Sequence, residues 1–183
     1  MVRIPKALLL FGLLLMAGPI ASLAATSTAP KEGDMAVSFN AGFANAFDDD
    51  FDEVEPVFTG SFEYYSTPRI SWRGLLGTTS FDTDLSGDAS LDFTFLDANV
   101  LYNWEGGRIH PYVTGGVGLY QKDGSSDLPS QFDENVFGVN GGGGLDWFLG
   151  SRWALEFEGT LHALTGENPN TLVLGTAGVK FWF

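Results

Sequence analysis

Apolar and polar residues alternate with a period of two along nearly the whole chain, and no segment beyond the first 25 residues keeps the 3.6-residue repeat of an amphipathic helix. Strands are therefore expected throughout. The first, Met35–Phe43, places Met35, Val37, Phe39, Ala41 and Phe43 on one face and Ala36, Ser38, Asn40 and Gly42 on the other. Seven more are predicted over Val57–Tyr65, Ile70–Phe81, Leu91–Trp104, Tyr112–Tyr120, Val136–Phe148, Trp153–Ala163 and Thr171–Phe183. In the fourth, the apolar positions change parity, from Leu91, Phe93 and Phe95 to Leu96, Ala98, Val100, Tyr102 and Trp104. One inserted residue would flip the face of all that follow, so a bulge is expected near Phe95.

The connections alternate in length. STPR, EGGR and LGSR are tight, whereas FDDDFDEVE, DTDLSGDA, the segment from Gln121 to Glu134 and TGENPN are longer and mostly acidic. Membrane-spanning barrels with an even number of antiparallel strands have this rhythm, with short periplasmic turns and long external loops. An all-β fold follows, an eight-stranded antiparallel up-and-down transmembrane β-barrel over residues 35–183, with both ends on the short-turn side.

The amino terminus changes the picture only by removing itself. Arg3 and Lys6 precede an apolar run from Ala7 to Ala17 and then small residues, the three-part pattern of a secretory signal. That run is shorter than the roughly 20 residues a membrane helix needs. Cleavage after Ala24 is expected, leaving 25–34 as a short linker. The chain contains no cysteine, which excludes a lipid-anchored cysteine and a disulfide framework from this reading. Loss of Arg3 and Lys6 takes Lys plus Arg from 9 to 7 against 23 Asp plus Glu, a formal balance of −16. Nucleic acid is thereby disfavoured as a partner, since phosphates need clustered basic side chains.

Alternation alone does not say whether the apolar face looks inward or into lipid. Three features favour lipid. Trp72, Trp104, Trp147, Trp153 and Trp182 all lie near a tight turn or the carboxyl end, as in an interfacial aromatic belt. Glu63, Arg73, Asp146, Glu156, Glu158 and Lys180 lie mid-strand on the opposite face, where they would line a polar interior. Finally, Ala177, Val179, Phe181 and Phe183 form an apolar stripe up to the last residue.

The segments LDANVLYNW, PYVTGGVGLY, GGGGLDWFLG and AGVKFWF resemble the eight-stranded outer-membrane barrels of the OmpA-like and opacity-like superfamily. The resemblance covers the chain from about Met35 and implies a Gram-negative outer-membrane location. It also implies lipid and lipopolysaccharide as surroundings, a monomer, and recognition of the last strand (Ala177, Val179, Phe181, Phe183) by the outer-membrane assembly machinery. Unlike in full-length OmpA, no periplasmic domain is expected after Phe183, and the acidic loops differ from those of heparin-binding surface barrels.

Candidate chemistry is sparse. Glu63 and Arg73 fall near-opposite about STPR, and Lys180 comes near Glu156 with Asp146 one strand away, a network that would either fill the lumen or gate it. Asp82, Asp84, Ser86, Gly87 and Asp88 match the start of an EF-hand loop, but Phe93 stands where the bidentate Glu belongs, so a solvated acidic loop is the better reading. The same holds for Asp48, Asp49, Asp50, Asp52, Glu53 and Glu55, which leave room only for an external ligand of unspecified kind. TGGVGL and GGGG lack the Lys-Ser/Thr and helix of a phosphate loop. Neither His110 nor His162 has a serine and a carboxylate at motif spacing, and the position two after His162 is Leu164. No cofactor, metal or catalytic residue is expected. The reading is a structural or surface-interaction barrel with a filled polar lumen, ahead of a narrow porin-like channel and of a lipid A-modifying enzyme.

Overall fold

A computed structural model describes residues 30–46, 54–82, 90–124, 134–165 and 171–183. The expected signal segment, the first half of the linker and the greater part of all four long connections, including Asp84 to Asp88, lie outside the described residues. Eight strands are present: β1 (Met35–Ala46), β2 (Val54–Tyr65), β3 (Ile70–Asp82), β4 (Ser90–Asn103), β5 (Ile109–Gly124), β6 (Glu134–Phe148), β7 (Trp153–Leu164) and β8 (Thr171–Trp182). Each pairs antiparallel with its neighbour in sequence, and β1 pairs with β8 from Ala36↔Trp182 to Ala46↔Leu172, closing the barrel. Met35 and Phe183 exchange backbone hydrogen bonds of 3.3 and 2.9 Å at the seam.

Several strands run further toward the long-loop end than alternation suggested. β1 continues to Ala46, β2 starts at Val54 and β5 reaches Gly124. Hydrophobic alternation marks only the band that meets lipid, whereas the backbone ladder continues into polar sequence above it.

The bulge expected near Phe95 does not form. β4 keeps an unbroken register with β3, from Ile70↔Tyr102 to Asp82↔Ser90, and with β5, from Leu91↔Gly124 to Asn103↔Tyr112. Phe93 and Phe95 are buried inside, while Asp92 and Thr94 face out. The outward face therefore never switches; it is the lumen that becomes apolar toward the long-loop end.

The outward face is apolar, with Phe39, Phe58, Leu76, Val117, Phe137 and Val139 among its exposed side chains. Trp72, Trp104, Trp147 and Trp153 face out at the short-turn end. Trp182 does not join them. It has the parity of Lys180, not of Phe181 and Phe183, and is 4% exposed inside the barrel mouth beside Phe148, ring centroids 4.7 Å apart.

Inward glycines make room for the large side chains of neighbouring strands. A Cβ at Gly77 would strike the Phe95 ring, and one at Gly144 would strike the Tyr112 hydroxyl. Gly77→Val is expected to destabilise the folded barrel by roughly 1–3 kcal/mol in urea unfolding from lipid vesicles. Shortening the ring in Gly77→Val/Phe95→Leu should recover part of that loss.

Candidate functional site

The lumen is built in layers, because every second residue of each strand must point into it. At the short-turn end Ala36, Tyr65, Phe148, Ala154 and Trp182 form an apolar floor. At the other end a larger apolar cluster includes Val57, Leu75, Phe93, Phe95, Tyr120 and Leu172. Between them lies a layer of charge.

Lys180, on β8, is 0% exposed. Its Nζ lies 2.8 Å from Glu156 Oε1, 3.0 Å from Glu63 Oε2 and 3.1 Å from Asp146 Oδ2. Arg73, on β3, reaches across the lumen to Glu158 Oε2 at 2.7 Å and to Glu156 Oε1 at 3.5 Å. Glu156 thus bridges both cations. Glu63 and Arg73 are register partners on β2 and β3, yet their ion pairs run across the lumen and not along the hairpin. Lys180 pairs in register with Ala154, so its contact with Glu156 is diagonal.

Four carboxylates face two cations here, and neutral donors offset the remaining acceptor capacity. Ser71 donates to Glu63 and is itself held by Asn103 Nδ2 at 3.1 Å. Asn40 Nδ2 donates to Glu156 Oε2 at 2.9 Å. The Tyr112 hydroxyl lies 2.7 Å from Glu158 Oε2 and 3.1 Å from Glu156 Oε1. The Tyr112 ring also faces both cations, 5.3 Å from Lys180 Nζ and 5.8 Å from Arg73 Cζ. Such a layer is tolerable away from water only because the charges are paired and most lone pairs are engaged.

Above it, toward the long-loop end, Arg73, Asp97, Asn99, Thr59, Asn140 and His162 line a small cavity of about 10 Å³, close to the size of a single water. His162 Nδ1 lies 2.8 Å from the Tyr120 hydroxyl and 3.7 Å from Asp97 Oδ2, and its Nε2 lies 2.9 Å from Thr160 Oγ1. Among the described residues, Arg73 Nε and Nη2, Asp97 Oδ1 and Asn99 Oδ1 have no hydrogen-bond partner.

The structure brings Glu63, Arg73, Asp146, Glu156, Glu158 and Lys180 into one layer. It places Ala177, Val179 and Phe183 on the exposed outward face of β8 and just beyond it, with Phe181 half-buried on the same face, 4.6 Å from the Trp153 ring. Sequence reading missed Tyr112, Asn40 and Ser71 as members. Their parity, opposite to outward Val113, Phe39 and Trp72, carried the signal. Among the described residues no group of three or more acidic, His or Cys side chains could hold a metal ion.

An apolar exterior around a closed sheet, with a paired polar interior, defines a transmembrane β-barrel. The chain belongs to the outer membrane protein beta-barrel domain family, whose model matches residues 11–181, and is a protein of the Gram-negative outer membrane. Among solved structures it is similar to Neisserial surface protein A, at 15% identity and a TM-score of 0.65 over 83% of this chain and 100% of that one. It is also similar to OprG from Pseudomonas aeruginosa, at 16% identity and a TM-score of 0.61 over 86% of this chain and 99% of that one. A third similar structure is Ail, the attachment invasion locus protein of Yersinia pestis, at 12% identity and a TM-score of 0.59 over 83% of this chain and 99% of that one. Ail has also been solved in complex with the heparin analogue sucrose octasulfate. At such identities the likeness is one of fold. No curated protein sequence matches the chain.

Lys180→Met should cost roughly 3–5 kcal/mol in vesicle unfolding, because three buried carboxylates lose their shared cation. Adding Glu156→Gln to that variant should restore part of the loss.

Proposed function

We propose that this chain is a closed, non-conducting barrel with a structural or surface-interaction role, and that its acidic external loops, not its lumen, form the functional surface. The observation that carries this reading is the pair of apolar clusters that cover the charged layer from both ends. Eight strands enclose a space only just wide enough for side chains to fill, so the two plugs leave no continuous polar path. The narrow-channel reading draws its support from Arg73, which lines the small polar cavity and has two nitrogens without a hydrogen-bond partner among the described residues. We assign no catalytic role; the ring nitrogens of His162 contact the Tyr120 and Thr160 hydroxyls.

Residues 1–24 act in this account as the export signal, and the outward face of the last strand, Ala177, Val179, Phe181 and Phe183, as the assembly signal. The long connecting segments 47–53, 83–89, 125–133 and 166–170 contain no lysine or arginine. A polyanion of the kind found on Ail would be repelled by them. Their partner is a cationic surface, or lipopolysaccharide phosphate bridged by divalent cations.

Planar-bilayer recording of the refolded chain, with an unboiled gel lane confirming folding, should show no discrete steps. Steps abolished by Arg73→Met or Lys180→Met would replace this reading with the channel. In a separate binding assay, immobilised folded barrel should retain no sucrose octasulfate at physiological ionic strength.

A further inference from the structure

All three tight turns end on arginine, Arg69, Arg108 and Arg152, and each is held by the same backbone contact. Its carbonyl accepts a hydrogen bond from the adjacent strand, Asn103 N to Arg69 O at 2.7 Å, Phe148 N to Arg108 O at 2.8 Å and Trp182 N to Arg152 O at 2.9 Å. The three arginines therefore occupy equivalent rungs at the periplasmic end of the ladder. One residue further into the membrane, the strand that follows each turn presents an outward residue paired with the next strand: Ile70 with Tyr102, Ile109 with Trp147, and Trp153 with Phe181. Those apolar and aromatic pairs mark the membrane interface. The arginine rung lies one residue beyond it, a rise of about 3.4 Å, at headgroup depth.

Strand alternation points these arginines toward the barrel axis, but Phe148 and Trp182 already fill the mouth there. All three arginines are exposed instead. Arg69 pairs with exposed Glu105 at 3.4 Å, whereas Arg108 and Arg152 form no ion pair among the described residues. A long side chain at the end of a strand can extend along the surface to a phosphate while its stem covers apolar groups.

We infer that Arg108 and Arg152 form a binding rim for anionic phospholipid headgroups in the periplasmic leaflet, with Arg69 as a weaker third member. The guanidinium fork matches a phosphate oxygen pair, and each basic group near an anionic lipid surface contributes about a fivefold gain in binding. The rim gives the barrel opposite electrostatic preferences at its two ends, because the external segments carry only acidic charge.

The four outward tryptophans supply the readout, since all sit at this rim. The folded chain is placed in vesicles mixing ordinary phosphatidylcholine with phosphatidylglycerol or phosphatidylcholine brominated high in the acyl chains, and quenching gives relative lipid binding. Wild type should prefer phosphatidylglycerol several-fold at low salt, and the preference should shrink as salt is raised. Arg108→Gln/Arg152→Gln should bring the ratio close to one, whereas Arg108→Lys/Arg152→Lys should retain most of it. Unboiled gel mobility confirms that each variant is folded. Equal quenching by the two lipids in wild type, or an undiminished preference in the glutamine variant, would overturn the assignment.

Discussion

The constraint on which everything else rests is that a backbone amide left unpaired in hydrocarbon costs several kcal/mol. A sheet can satisfy it in a membrane only by closing. Here the seam between β1 and β8 does so over the length of both strands and is sealed at its end by the Met35–Phe183 contact. Apolar outward residues then follow from lipid as solvent, and alternation forces an equal number of residues inward. The last strand is consequently both a wall of the barrel and the element that completes it.

Closure with eight strands fixes the width of the interior, and width fixes its chemistry. Bulky inward groups need inward glycines on neighbouring strands, as Phe95 needs Gly77. Charged inward groups cannot rely on solvent, so Lys180 collects three carboxylates and Arg73 shares one of them. The layered order, apolar floor, paired charges, polar cavity and apolar cap, places the most costly groups where they are most completely enclosed. A buried network of this kind contributes little net stability compared with apolar packing, but disrupting one member strands the others.

Much of this was legible in the sequence because the period of two is a direct image of the sheet. All eight strands, the rhythm of short and long connections and the six network residues follow from parity. Parity also explains the misses. At Phe93 and Phe95 the lumen itself turns apolar, and a rule equating apolar with outward converts that change into a bulge. Trp182 was placed by its closeness to the chain end although Lys180, two residues before it, had already marked its face as inward. The partner choice within the network was not readable, because Arg73 and Glu158 lie on strands distant in order and meet only once the barrel has curved them together. Function was least legible of all, since the acidic loops disclose charge and little else.

The account makes the protein a sealed scaffold whose two ends differ in charge and whose middle is closed to solvent. Its most direct test is the exchange of the Lys180 ammonium protons, read by proton–nitrogen correlation NMR of the folded barrel in lipid nanodiscs. A sealed lumen predicts a resolved Nζ signal at neutral pH with protons protected from exchange by the three carboxylates around it. A signal broadened beyond detection by rapid exchange with water, in a barrel shown to be folded, would mean that solvent passes through the charged layer and would contradict the account.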